Sequence, residues 1–102
     1  MYQLSFYVPE AHLEKVKECL FENGAGRIGA YERCAWQVKG EGQFYPKADS
    51  NPYTGERNKL EKISEYKVEM VCENKHIKKV IAALKAVHPY EEPAYSVVKL
   101  EN

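Results

Sequence analysis

The sequence predicts an α+β fold of the ferredoxin-like kind: β-α-β-β-α-β, with an antiparallel sheet and two helices on one face. Three observations predict it. Apolar residues recur at period two in four separate segments, two intervening segments switch to a helical period, and Pro9, Gly24 and Pro89 mark the changes. The 102 residues amount to a single small domain, and their 44% hydrophobic and 29% charged content is the balance of an ordinary globular protein.

Each element has its own justification. Tyr2, Leu4, Phe6 and Val8 alternate with Gln3, Ser5 and Tyr7, the pattern of a strand with one buried face. Pro9 suits the first position of a helix and Glu10 its positive end. Leu13, Val16, Leu20 and Phe21 form the apolar stripe of that helix, and Gly24 is a left-handed stop. Period two returns over residues 28–39, with Ile28, Ala30, Cys34, Trp36 and Val38 expected to face inward and Glu32 the one misfit. Residues 40–58 hold three Gly and two Pro and read as an irregular loop. A loop of this length is uncommon in a compact domain unless it has a task, as a functional loop or a subunit-contact arm. Phe44, Tyr45 and Tyr53 speak against full disorder.

Residues 59–72 read as one long strand in which Tyr66, Val68, Met70 and Cys72 alternate, while Leu60 and Ile63 fall out of phase. A bulge near Ser64 would reconcile them. Fourteen extended residues span about 46 Å, whereas a sphere for a chain of this size is about 34 Å across. The strand must bend, break or project, and a projecting strand invites a second chain. Asn74 is the expected cap of a second helix bearing Ile77, Val80, Ile81 and Leu84, which Pro89 ends. Residues 95–100 supply the last strand. The helix-free sheet face is expected to carry Tyr7, Tyr31, Ala35, Val71, Tyr95 and Val97, more apolar than a solvated face needs.

Fifteen Lys and Arg cancel 15 Asp and Glu, so no net field draws the chain to nucleic acid or an anionic membrane. No apolar run approaches the roughly 20 residues of a spanning helix, and the first residues lack the pattern of an export leader. Cys19, Cys34 and Cys72 form no Cys-x-x-Cys pair and suit buried, reduced thiols, so a cytoplasmic location is expected. Cys34 reads as a small core residue, His12 and His76 as solvent-facing helix residues, and Glu61, Glu65 and Glu69 as a solvated strand face interleaved with Lys67.

Two motifs could carry chemistry. Gly24-Ala25-Gly26-Arg27-Ile28-Gly29 matches a dinucleotide fingerprint in letters, but a helix precedes it and a strand follows, the reverse of what a pyrophosphate site needs. It reads as a tight helix-to-strand turn in which Arg27 is a candidate anion contact. His88-Pro89-Tyr90-Glu91-Glu92-Pro93 holds an imidazole and two carboxylates on a proline-fixed backbone, and both donor types suit a divalent ion. His88, Glu91 and Glu92 are the candidate metal ligands, needing further chains to complete a set; in one chain the run reads as a rigid connector. Arg27, Phe44 and Tyr90 are the candidate ligand contacts. No nucleophile elbow, P-loop or RNA-binding aromatic motif occurs, and no catalytic residue is assigned.

Taken in order, Val8-Pro9-Glu10-x-His12-Leu13-Glu14, the glycine turn through Tyr31, Cys34-x-Trp36, Gly40-x-Gly42-x-Phe44-x-Pro46, Asn51-Pro52-x-x-Gly55 and His88 to Tyr95 resemble the YqfO-type domain inserted in many Nif-three-like (NGG-interacting-factor) proteins. The His-Pro-Tyr-Glu run is also similar to the CutA divalent-cation-tolerance proteins. The resemblance implies a PII/CutA-like fold that assembles as a trimer. Nif-three-like proteins carry a two-metal site of His, Asp and Glu on a flanking domain, and some bear the name of GTP cyclohydrolase homologues. None of that flanking domain lies in these 102 residues, so the hydrolase activity is not carried over. The resulting expectation is a non-enzymatic homo-oligomeric module binding a divalent metal or small molecule between subunits. The alternatives are a structural or regulatory module docking another protein, and a metal-dependent hydrolase using His88 and Glu91.

Overall fold

A computed structural model describes residues 1–101. Its elements run β1 (Tyr2–Val8), α1 (Glu10–Glu22), β2 (Trp36–Phe44), β3 (Glu61–Cys72), α2 (Ile77–Val87) and β4 (Tyr95–Lys99). The sheet order is β2-β3-β1-β4 with every pairing antiparallel, the ferredoxin-like arrangement expected from the sequence.

The core follows the two periodicities. Leu4, Phe6 and Val8 of β1 and Val68, Met70 and Cys72 of β3 share one sheet face. Against them pack Leu13, Val16 and Leu20 from α1 and Ile77, Val80 and Leu84 from α2. Residues three and four apart on a helix fall on one side, and alternate strand residues do likewise, so both patterns bury the same seam.

Gly24 ends α1 at φ +111, where a Cβ would run into the His76 ring. Gly24→Ala is therefore expected to cost about 1–3 kcal/mol, since it adds both backbone strain and overlap. Denaturant unfolding would measure the loss, and an unchanged midpoint would contradict the packing. His76 is thus partly enclosed at the start of α2 rather than free on a helix, and Asn74 caps the N-terminal amine rather than the helix.

The second strand departs from expectation. Residues 26–35 are turns, closed by the paired Ile28 and Tyr31 amides and carbonyls, with Gly29 and Arg33 at φ 56 and 59. Alternation in that stretch reflects turn geometry rather than a pleat. β2 begins at Trp36 and continues through Gly40 and Gly42 to Phe44, so the irregular segment covers 45–60 rather than 40–58. Cys34 lies partly exposed in the turns, and Cys72 alone of the three thiols is buried.

The long third strand projects. β1 pairs with β3 only between Tyr66 and Cys72, while β2 follows β3 from Glu69 to Glu61, so the β2–β3 ribbon runs past the end of β1. The molecule is accordingly elongated, 47 × 24 × 24 Å. Neither pairing breaks register, so the bulge expected near Ser64 is absent. Leu60 lies before the strand and is exposed, which removes the phase conflict, and Ile63 faces away from the helices. Tyr95 and Val97 pair with Phe6 and Leu4 and so belong to the helix-covered face, not the open one. The open face instead carries Tyr7, Val71 and Val98, together with Trp36 and Val38 of the edge strand, which are 59% and 44% exposed.

Candidate functional site

The connector after α2 crosses the end of β1 and is anchored there by His88. The His88 side chain is buried; Nε2 sits 2.6 Å from the Tyr7 carbonyl oxygen and Nδ1 3.1 Å from the Tyr90 backbone nitrogen. An amide N–H can only donate, so Nδ1 is the bare nitrogen and Nε2–H donates to Tyr7. Burial pushes the imidazole below its ordinary pKa, against the opposing pull of the Tyr7 carbonyl and with a smaller contribution from His12. His88 is a neutral bracket between β1 and the connector.

This bracket sets Tyr90 on the open sheet face. Its ring meets that of His88 edge-on at 4.7 Å, and its hydroxyl donates to Glu65 Oε2 at 3.3 Å. Glu65 comes from the projecting part of β3, where it pairs with Gly40 of β2 and extends its side chain over Gly42, at which any Cβ would collide with the carboxylate. Burial raises the Glu65 carboxyl above the ordinary carboxylate range, opposed by the Tyr90 hydrogen bond. The Tyr90 hydroxyl is pushed far up, first by burial and then by the negative charge of Glu65.

The irregular segment closes the other side. Tyr53 stacks at a tilt 6.0 Å from Tyr90, and its hydroxyl lies 2.9 Å from His12 Nε2 on α1. Glu91 Oε1 accepts the Asn51 amide at 3.2 Å, tying connector to loop. Between these elements lies a cleft of about 370 Å³ walled by Tyr7, Phe44, Ile63, Tyr53 and Tyr90, with Glu65, Glu91 and Glu92 along it. No Lys, Arg or His lines it among the described residues.

Of the expected contacts, Phe44 and Tyr90 meet in this cleft. Arg27 does not join them. It lies in the turn next to Gly26, whose amide bonds Val71 at the opposite end of β3, beside Phe21, Glu22, Glu32 and Arg33. The expected metal ligands do not form a donor set within one protomer. Both His88 nitrogens face backbone groups, Glu91 holds Asn51, and no three His, Cys, Asp or Glu among the described residues gather to hold an ion. The residue that sequence reasoning missed is Glu65, read there as solvated. Ile63, apolar on the wrong phase of the strand, was the available signal that this face is covered locally.

No family model matches the chain. Among curated proteins it is 41% identical over 102 residues to a GTP cyclohydrolase 1 type 2 homolog of Halalkalibacterium halodurans, covering 100% of this chain and 27% of the relative. Among solved structures, a Bacillus cereus protein related to NIF3 superposes with TM-score 0.84 at 36% identity, covering 99% of this chain and 26% of that one. The PII-like protein CutA from Nostoc superposes with TM-score 0.72 at 16% identity, covering 100% and 83%. That second likeness is one of fold. The chain therefore spans about a quarter of the length of the curated relatives it matches.

Proposed function

The chain is a domain of the YqfO type carried within Nif-three-like proteins, and from that premise we propose that it is a non-enzymatic module that self-associates and binds a small ligand. The single observation behind the ligand is the cleft at Tyr90 and Glu65: apolar walls, a few convergent polar groups and a carboxyl of raised pKa are the usual marks of a binding pocket. Its volume lies within the range of small-molecule sites, about 300–1,000 Å³.

Self-association is supported by the open sheet face. Trp36 and Val38 stand exposed on β2, an edge strand with one row of backbone groups free of any partner strand. Such an edge is a template for pairing, and a trimer is the assembly the family resemblance implies. A divalent ion would need carboxylates from converging protomers, because one protomer brings no three donors together among the described residues. The name GTP cyclohydrolase belongs to relatives of which this chain spans about a quarter, so we carry no hydrolase role over. The exposed Trp36 also favours a second reading, a docking site for another protein. No helix among the described residues is long and apolar enough to cross a membrane.

Native mass spectrometry of the untagged protein with elemental analysis tests the proposal. The expected result is a homo-oligomer; a bare monomer at micromolar concentration removes the self-association.

A further inference from the structure

We propose that the cleft between the β2–β3 ribbon and the 88–94 connector is a site for a small organic cation, a primary ammonium carrying an apolar or aromatic body. This rests on reading the cleft as a ligand site and adds the class of ligand.

Charge and shape argue for it together. The cleft is lined by carboxylates and by aromatic rings, and no cationic side chain among the described residues opposes them. An anionic ligand such as a phosphate would meet Glu65, Glu91 and Glu92 with nothing to neutralise it. A cation would meet carboxylates and aromatic side chains together along the cleft wall, and aromatic faces attract cations through their quadrupole. Burial already raises the Glu65 carboxyl, so a positive group beside it would offset the desolvation of the carboxylate. The site is held in shape beforehand. Gly42 leaves room for the Glu65 side chain, Tyr90 fixes one carboxylate oxygen, and the other is left for a donor. Phe44, Ile63 and Tyr53 supply the apolar wall against which the body of the ligand lies. Surface ion pairs of the protein lie elsewhere, at Glu14–Lys17, Glu18–Arg33, Glu69–Lys67 and Glu73–Lys75, so none of them competes for Glu65.

The test uses three probes of one shape on the full chain: benzylammonium, benzyl alcohol and benzoate, followed by amide chemical shifts in two-dimensional NMR. Benzylammonium is expected to shift the amides of Phe44, Glu65 and Tyr90 with saturation, and to bind at least about tenfold more tightly than benzyl alcohol, the scale of a charge-assisted hydrogen bond. Glu65→Gln should remove that preference while leaving the benzyl alcohol response in place. Benzoate binding as well as benzylammonium in the wild-type chain would overturn the cationic assignment while leaving the ligand site standing. Silence of all three probes at these amides would overturn the ligand site itself. Shifts at Phe44, Glu65 and Tyr90 that grow with protein concentration alone, without a probe, would assign the cleft to a second copy and overturn the proposal.

Discussion

His88→Ala is expected to destabilise the fold by about 2–4 kcal/mol, although the residue lies in a connector. The substitution removes a buried ring and leaves the Tyr7 carbonyl and the Tyr90 amide without their partner. Unfolding midpoints in denaturant would measure it. The loss should be the same in excess chelator, because the ring acts by bridging backbone groups. A loss that appears only with added metal would restore the ligand role.

The same bracket gives the fold an acid sensitivity whose sign follows from burial. The folded imidazole has a depressed pKa, so below about pH 6.5 the unfolded chain takes a proton that the folded chain resists. The contribution of His88 is complete above that value and declines as pH falls through it, by up to about 1.4 kcal/mol per pH unit. Glu65 acts with the opposite sign. Its folded carboxyl is raised, so acidification through its folded value favours the native state. Comparing wild type with His88→Gln at pH 7.5 and 5.5 separates the two, since Glu65, His12 and His76 are common to both proteins. Wild type should lose more stability than the variant over that interval; equal losses would show the imidazole to take its proton in the fold as readily as in the unfolded chain.

The second large effect concerns assembly. Trp36→Asp combined with Val38→Lys is expected to abolish the self-association proposed above, leaving a species that sediments with the mass of one chain where the wild type sediments as more than one. Both side chains are on the open sheet face of an edge strand and outside the helix-packed core, so the monomer should keep its secondary structure. Charges on such an edge are a common way in which proteins prevent strand-to-strand pairing. An oligomer that survives the double substitution would move the contact surface away from β2.

The two likenesses, to a NIF3-related segment and to CutA, agree on the fold but differ in what they carry. The first is close enough in sequence to be homology over the whole chain. The second shares the βαββαβ frame at 16% identity and extends no further than that frame. Function is therefore read from the cleft and the open face of this chain, because a frame of this kind hosts many unrelated activities.

The sequence by itself determined β1, both helices, the core half of β3 and the βαββαβ order. These rest on patterns local to a dozen residues, such as Leu13, Val16 and Leu20 on one side of a helix or Tyr66, Val68, Met70 and Cys72 on one side of a strand. It also singled out His88 to Pro93 as a rigid unit and named Phe44 and Tyr90. The tertiary structure alone decided the start of β2, because alternation over 28–34 is satisfied by turns as well as by a pleat. It alone decided that Ile63 and Glu65 face a cleft instead of solvent, since that depends on the preceding loop and on a connector 25 or more residues further along folding over one face of a projecting ribbon. It also placed His88, for which spacing gives the donor atoms but only the backbone positions of Tyr7 and Tyr90 show which hydrogen bonds the two ring nitrogens make.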